Sequence, residues 1–133
     1  MLRFATLVLV LAGCPGGGDE CHVDSDCGHN LVCARNSDCL PASEVRSIRV
    51  TWTIRGMPAN EMLCAKTPNF YLMFAGTSVN DTFGYEPVPC KAGLFSIDKL
   101  PLRFVSVELG VDGGFSEVTA FDAQGNASFD LAP

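Results

Sequence analysis

The stretch Ile48-Arg49-Val50-Thr51-Trp52-Thr53-Ile54 alternates apolar with polar residues without a break. Side chains of an extended strand point to opposite faces in turn. Period two built from β-branched and aromatic residues therefore marks a strand with one buried and one wet face. Trp52, at its middle, is expected at the centre of a core; an aromatic binding platform is the rival role for it. Downstream, Phe70 to Ala75 is continuously apolar and reads as a central strand. Further strands are expected at Thr82 to Val88, Leu94 to Ile97, Phe104 to Leu109, Phe115 to Phe121 and Ala127 to Leu131. Val105, Val107 and Leu109 are expected on one face. Gly56-Met57-Pro58, Asn80-Asp81, Asp112-Gly113-Gly114 and Asp122 to Asn126 supply the turns between strands. No stretch of ten or more residues keeps a helical period. Seven or eight short strands with frequent turns point to an all-β fold, an antiparallel β-sandwich spanning residues 45–133.

Working outward to the amino terminus, Met1-Leu2-Arg3 precedes the apolar run Phe4 to Val10, and Leu11-Ala12-Gly13-Cys14 follows. A charged start, a short apolar run and a small-residue exit are features of a secretory signal, and the run is far below the roughly 20 residues needed to span a bilayer. The four residues ending in Cys14 resemble the lipobox of bacterial lipoproteins. That resemblance implies removal of residues 1–13 and acylation of Cys14, which becomes the first residue of the mature chain. One acyl chain holds a protein to a membrane only marginally and two or more hold it firmly, so the lipid is expected to anchor this chain in the cell envelope. Pro15 stands where an aspartate would favour inner-membrane retention, which favours the outer membrane. Residues 14–20, with Gly16-Gly17-Gly18, read as a flexible tether.

With Cys14 set aside, six of the seven cysteines remain, an even number in an exported and therefore oxidised chain. Cys21, Cys27, Cys33 and Cys39 are each separated by five residues and form a disulfide-rich module over residues 21–41. Val23, Leu31 and Val32 are too few to offset the entropy of ordering this segment, so two disulfides are expected to hold it. Four cysteines allow three connectivities, and spacing does not choose among them. Zinc is the competing reading, since His22 and His29 lie among the thiols, but structural zinc sites favour shorter C-x2-4-C pairs. Asp24 and Asp26 would begin a calcium loop only if an acidic or amide residue, a glycine and a glutamate followed at its fifth, sixth and twelfth positions, and Gly28, His29 and Arg35 stand there instead. The run Cys21 to Cys33 resembles the small knots of Dickkopf-type cysteine-rich domains, and that resemblance implies the interleaved pairs Cys21–Cys33 and Cys27–Cys39. Cys64 and Cys90 are left to pair with each other. Closing their loop should stabilise the fold by roughly 3 kcal/mol on the chain-entropy model. The order of strands around Cys64 and Cys90, followed by Gly93 to Ile97 and Leu100-Pro101, is similar to transthyretin-like and carboxypeptidase-regulatory-type sandwiches. An immunoglobulin-like topology is the alternative.

The formal charge is −6, and −7 once Arg3 leaves with the signal. An acidic surface argues against nucleic-acid partners. His22 and His29 both lie in the knot, away from the sandwich, and the cysteines are expected to be paired. No phosphate-binding loop or metalloprotease motif is present. Glu86, Glu108, Glu117 and Asp122 could act as a carboxylate pair only if the fold brought two of them together. The expectation is a lipid-anchored envelope protein with a binding or structural role: not an enzyme, requiring no cofactor or metal, and meeting an envelope protein or a glycan. The alternative is a small surface hydrolase or a metal-handling lipoprotein. Thr77 to Asp81 and Asp112 to Gly114 are the loops on which binding is most easily built.

Overall fold

A computed structural model describes residues 20–132; the leader, Cys14 and the glycine tether lie outside the described residues. The fold is all-β, with the disulfide-rich module at its amino-terminal end. In that module strands β1 (Leu31–Cys33) and β2 (Cys39–Pro41) form an antiparallel hairpin in which Cys33 faces Cys39. Disulfides join Cys21 to Cys33 and Cys27 to Cys39, the interleaved pairs that the Dickkopf-type resemblance implies. Asp26 accepts hydrogen bonds from the N–H groups of His22 and Val23 at 2.8 and 3.0 Å, and Asp24 accepts one from Cys33 at 2.9 Å. Both carboxylates thus hold the chain into its turns.

The chain then enters β3 (Val45–Ile54), the long strand whose alternation was legible from sequence. Ile48, Val50, Trp52 and Ile54 are buried, and the polar residues between them face outward. Arg55 and Gly56 both adopt left-handed backbone, with φ of 52° and 73°. That is the geometry of a tight two-residue hairpin turn, and it folds β4 (Met57–Pro58) back onto the end of β3. The segment expected to be only a turn therefore carries a short strand. The remaining strands are β5 (Asn69–Ala75), β6 (Thr82–Pro89), β7 (Leu94–Pro101), β8 (Ser106–Gly110), β9 (Ser116–Ala120) and β10 (Asn126–Leu131).

Two sheets result. In the first, β3 is flanked by β10 on one side and by β7 and β4 on the other; the second has the order β6-β5-β8-β9. All pairs are antiparallel except β10 with β3, which run parallel from Asn126↔Arg49 to Leu131↔Ile54. Parallel neighbours need a crossover rather than a hairpin, and here the second sheet lies between β3 and β10 in the chain. Strand β7 runs on through Leu100-Pro101, with Pro101 paired to Val45, so the turn comes after the proline at Leu102-Arg103. Val105 is exposed, apart from buried Val107 and Leu109. Its N–H bonds Ala75, which also pairs with Ser106, so two residues oppose one and the alternation slips there.

The core lies between the sheets. Phe70, Leu72 and Phe74 of β5 and Val107 and Leu109 of β8 face Val50, Trp52, Phe129 and Leu131. Trp52 meets Phe70 edge-on at 6.0 Å, and Phe74 is ringed by Phe83, Tyr85, Phe95 and Phe121. The Trp52 indole N–H donates to the buried carbonyl of Cys90 at 2.7 Å, and Cys90 is bonded to Cys64. Trp52 is a core residue rather than a binding platform.

The knot is fastened to the sandwich. Arg35 pairs with Asp98, and its N–H donates to the carbonyl of Lys99. Lys99 Nζ reaches Asp24 at 2.7 Å, and Arg103 spans Asp38 of the knot at 2.8 Å and Asp81 at 2.9 Å. These cations sit around the end of β7, so one edge of the first sheet carries the disulfide module.

Candidate functional site

On the outer face of the second sheet an open groove of about 570 Å³ runs between β5, β6 and the loop joining β8 to β9, within the size range of small-ligand sites. Its walls come from alternation. The residues of β5 that do not enter the core, Tyr71 and Met73, point outward beside Gly84 and Glu86 of β6. Two glycines keep the floor low. A Cβ at Gly84 would stand 2.8 Å from the Leu72 carbonyl, and one at Gly110 would stand 2.7 Å from both the Tyr71 hydroxyl and the Ser116 Cβ. Only glycine at 110 lets the Tyr71 ring reach across β8.

Tyr71 donates its phenolic proton to Glu108 at 2.6 Å. That bond, with a smaller contribution from burial, pushes the phenol above its ordinary value. A raised phenol keeps its proton, the opposite of what a nucleophile or general base requires. Glu86 and Asp112 line the same groove, and among the described residues no lysine or arginine does. The site therefore offers a half-buried aromatic ring, a thioether and several carboxylate acceptors. It can receive hydroxyl or ammonium donors.

The structure distributes the sequence-derived candidates unevenly. Asp112 to Gly114 lines the groove, whereas Thr77 to Asp81 lies near the knot, with Asp81 engaged by Arg103. Glu86 lines the groove, and Glu108 meets it only through the bond it accepts from Tyr71. Glu117 is an exposed residue of β9, and Asp122 is spent on a turn, accepting from the N–H groups of Gln124 and Asn126 at 2.9 and 2.7 Å. His22 is tied by its backbone to Asp26 in the knot, far along the chain from every groove residue. Cys21, Cys27, Cys33, Cys39, Cys64 and Cys90 are all disulfide-bonded. The sulfurs of Cys21, Cys27 and Cys39 lie within 4.8 Å of one another, but a disulfide sulfur has no thiolate to offer a metal.

Tyr71 and Met73 were hidden in a continuous apolar run, which reads as a strand covered on both faces. Strand β5 is central in its sheet but covered on one face only. Glycines at 84 and 110, on the strands flanking it, are the one sequence signal of that open face. No protein-family model, curated protein or solved structure matches the chain.

Proposed function

We propose that this chain is a lipid-anchored protein of the bacterial envelope that binds a partner through the groove on its second sheet. The observation that carries the reading is the order of its parts. A charged and apolar leader ends in Leu11-Ala12-Gly13-Cys14, a glycine tether follows, and the remaining cysteines are joined in pairs. Paired cysteines suit an oxidising compartment, and a lipidated Cys14 would deliver the chain there. Pro15 after Cys14, in place of an aspartate that would favour inner-membrane retention, favours the outer membrane as its address.

The groove supports a binding role rather than a chemical one. Its ring at Tyr71 and its acceptors at Glu86 and Asp112 suit a partner rich in hydrogen-bond donors, such as an envelope glycan. Mass spectrometry of the amino-terminal peptide tests the anchor. The expected species begins at Cys14 and carries fatty acyl mass, and Cys14→Ser loses that mass and partitions into the soluble fraction. An intact Met1 with no acyl group would overturn the reading.

A further inference from the structure

A sheet edge is a row of unpaired peptide groups, and proteins usually blunt it with proline, lysine, bulges or brevity. Most edges here are blunted in that way. Strand β6 carries Pro87 and Pro89, and β4 is two residues long with Pro58. Strand β7 is bent at Lys99, where φ is 53°, and ends in Pro101. At the start of β10 the Asn126 N–H and carbonyl are already used by Asp122. Strand β9, Ser116-Glu117-Val118-Thr119-Ala120, has no proline, lysine or bulge and carries a single charge, Glu117. Among the described residues it is hydrogen-bonded by β8 alone, with β10 lying near it, and Val118 is 66 % exposed.

The direction of its free groups follows from the ladder. Val111 donates to the Phe115 carbonyl and Phe121 donates to the Val105 carbonyl, with Gly110 opposite Ser116. Antiparallel strands alternate bonded and non-bonded pairs. Residues 115, 117, 119 and 121 therefore turn their peptide groups to β8, while Ser116, Val118 and Ala120 turn theirs outward.

We propose that two copies of this chain join edge to edge through β9, antiparallel, with Val118 opposite Val118 of the second copy. The strand is self-complementary in that register. Ser116 falls opposite Ala120, two small residues, and Glu117 falls opposite Thr119, which can donate to it. No two like charges stand directly opposed. The outward N–H of Ser116, Val118 and Ala120 each meet an outward carbonyl of the second copy, and the two four-stranded sheets become one. On the outer face the row Met73, Glu108, Val118 continues into its symmetry mate. Two-fold symmetry reverses the second copy, which places the two knots at opposite ends of the joined sheet. The two Glu117 carboxylates lie on a diagonal, at roughly 7–8 Å, and oppose the pairing without blocking it. An interface of one short strand belongs to the transient class that buries less than about 1,200 Å², so the dimer is concentration-dependent. This inference does not depend on the lipid anchor or on the groove.

Sedimentation of the full chain in mild detergent over a concentration series tests it. The expected result is a mass rising towards twice that of one chain. Val118→Pro removes only an outward N–H, leaves the β8–β9 ladder intact, and should stay at single-chain mass with an unchanged melting temperature. Glu117→Gln should tighten the dimer on the order of two- to fivefold, the range of one cross-strand charge pair. Should Val118→Pro fail to fold, Val118→Cys gives an independent measurement: it should form a disulfide-linked dimer where Val79→Cys, at a site 96 % exposed, does not. A wild-type chain that stays monomeric throughout, a folded Val118→Pro that dimerises equally well, or equal cross-linking at 79 and 118 would each overturn the proposal.

Discussion

Trp52 shows how a single side chain ties several layers of the fold together. Its indole packs on Phe70, and its N–H satisfies the Cys90 carbonyl, while its backbone N–H bonds Gly93. Trp52→Phe keeps the ring contact but leaves a buried carbonyl without a donor. Such a loss costs about 1–3 kcal/mol, and urea denaturation followed by circular dichroism should show the midpoint fall accordingly. A midpoint equal to wild type would mean that the bond contributes nothing net. Gly110 makes a second residue-scale case. An alanine Cβ there would meet the Tyr71 hydroxyl, the Ser116 Cβ and the Phe115 carbonyl at 2.7–2.8 Å, and two of these belong to strand neighbours that cannot both retreat. Gly110→Ala should destabilise the fold by about 1–3 kcal/mol, the usual cost of overpacking. It should also push the Tyr71 hydroxyl off Glu108, so that the phenol titrates lower, as read by ultraviolet absorbance against pH. An unchanged titration would show that the ring accommodates the methyl group.

At the scale of elements, legibility followed periodicity. Strands β3 and β10 could be read because their buried and exposed residues differ in polarity at every step, as in Ala127-Ser128-Phe129-Asp130-Leu131. The open face of β5 could not, because Tyr71, Met73 and Ala75 are themselves apolar or aromatic. The first residues of β3 were also missed, since the register slips between Arg46 and Ile48 and breaks the pattern. The parallel pairing of β10 with β3 and the docking of the knot on β7 join residues tens of positions apart, and no local pattern encodes them. That docking has a pH signature. Lys99 bonding to Asp24, helped by the Cys33 N–H, and Arg35 bonding to Asp98 hold both carboxyls below the usual carboxylate range. A carboxyl depressed in the folded state contributes stability that is complete above its unfolded pKa of about 3.9. The contribution is lost as pH falls through the lower folded value. The melting temperature should therefore be flat with respect to these pairs near neutrality and fall below about pH 4. Lys99→Met should fall less steeply than wild type. Because exposed pairs are each weak, identical acid limbs for the two proteins would assign the acid sensitivity to other carboxylates.

Across the whole molecule, the disulfides divide into two kinds by what surrounds them. Cys64 and Cys90 are buried in the same cluster as Trp52 and Leu72, and their bond closes a loop of 26 residues inside the sandwich. The knot buries only Cys21, Cys33 and Ala34 among its own side chains. It has no core to fall back on and depends on its two bonds together with the Arg35, Lys99 and Arg103 pairs. The double substitution Cys64→Ser with Cys90→Ser should thus remove about 3 kcal/mol from the sandwich. At 4–8 °C per kcal/mol for a domain of this size, its melting temperature should drop by roughly 10–25 °C. The double substitution Cys27→Ser with Cys39→Ser should act locally. Limited proteolysis should cut the chain between residues 21 and 41, while Trp52 fluorescence and the melting of the sandwich stay near wild type. The reverse pattern, with the sandwich melting early when the knot is opened, would make the docked module a structural part of the sheet it covers. Strands β3 and β7 would then need the knot in order to stay paired at the Val45–Pro101 end.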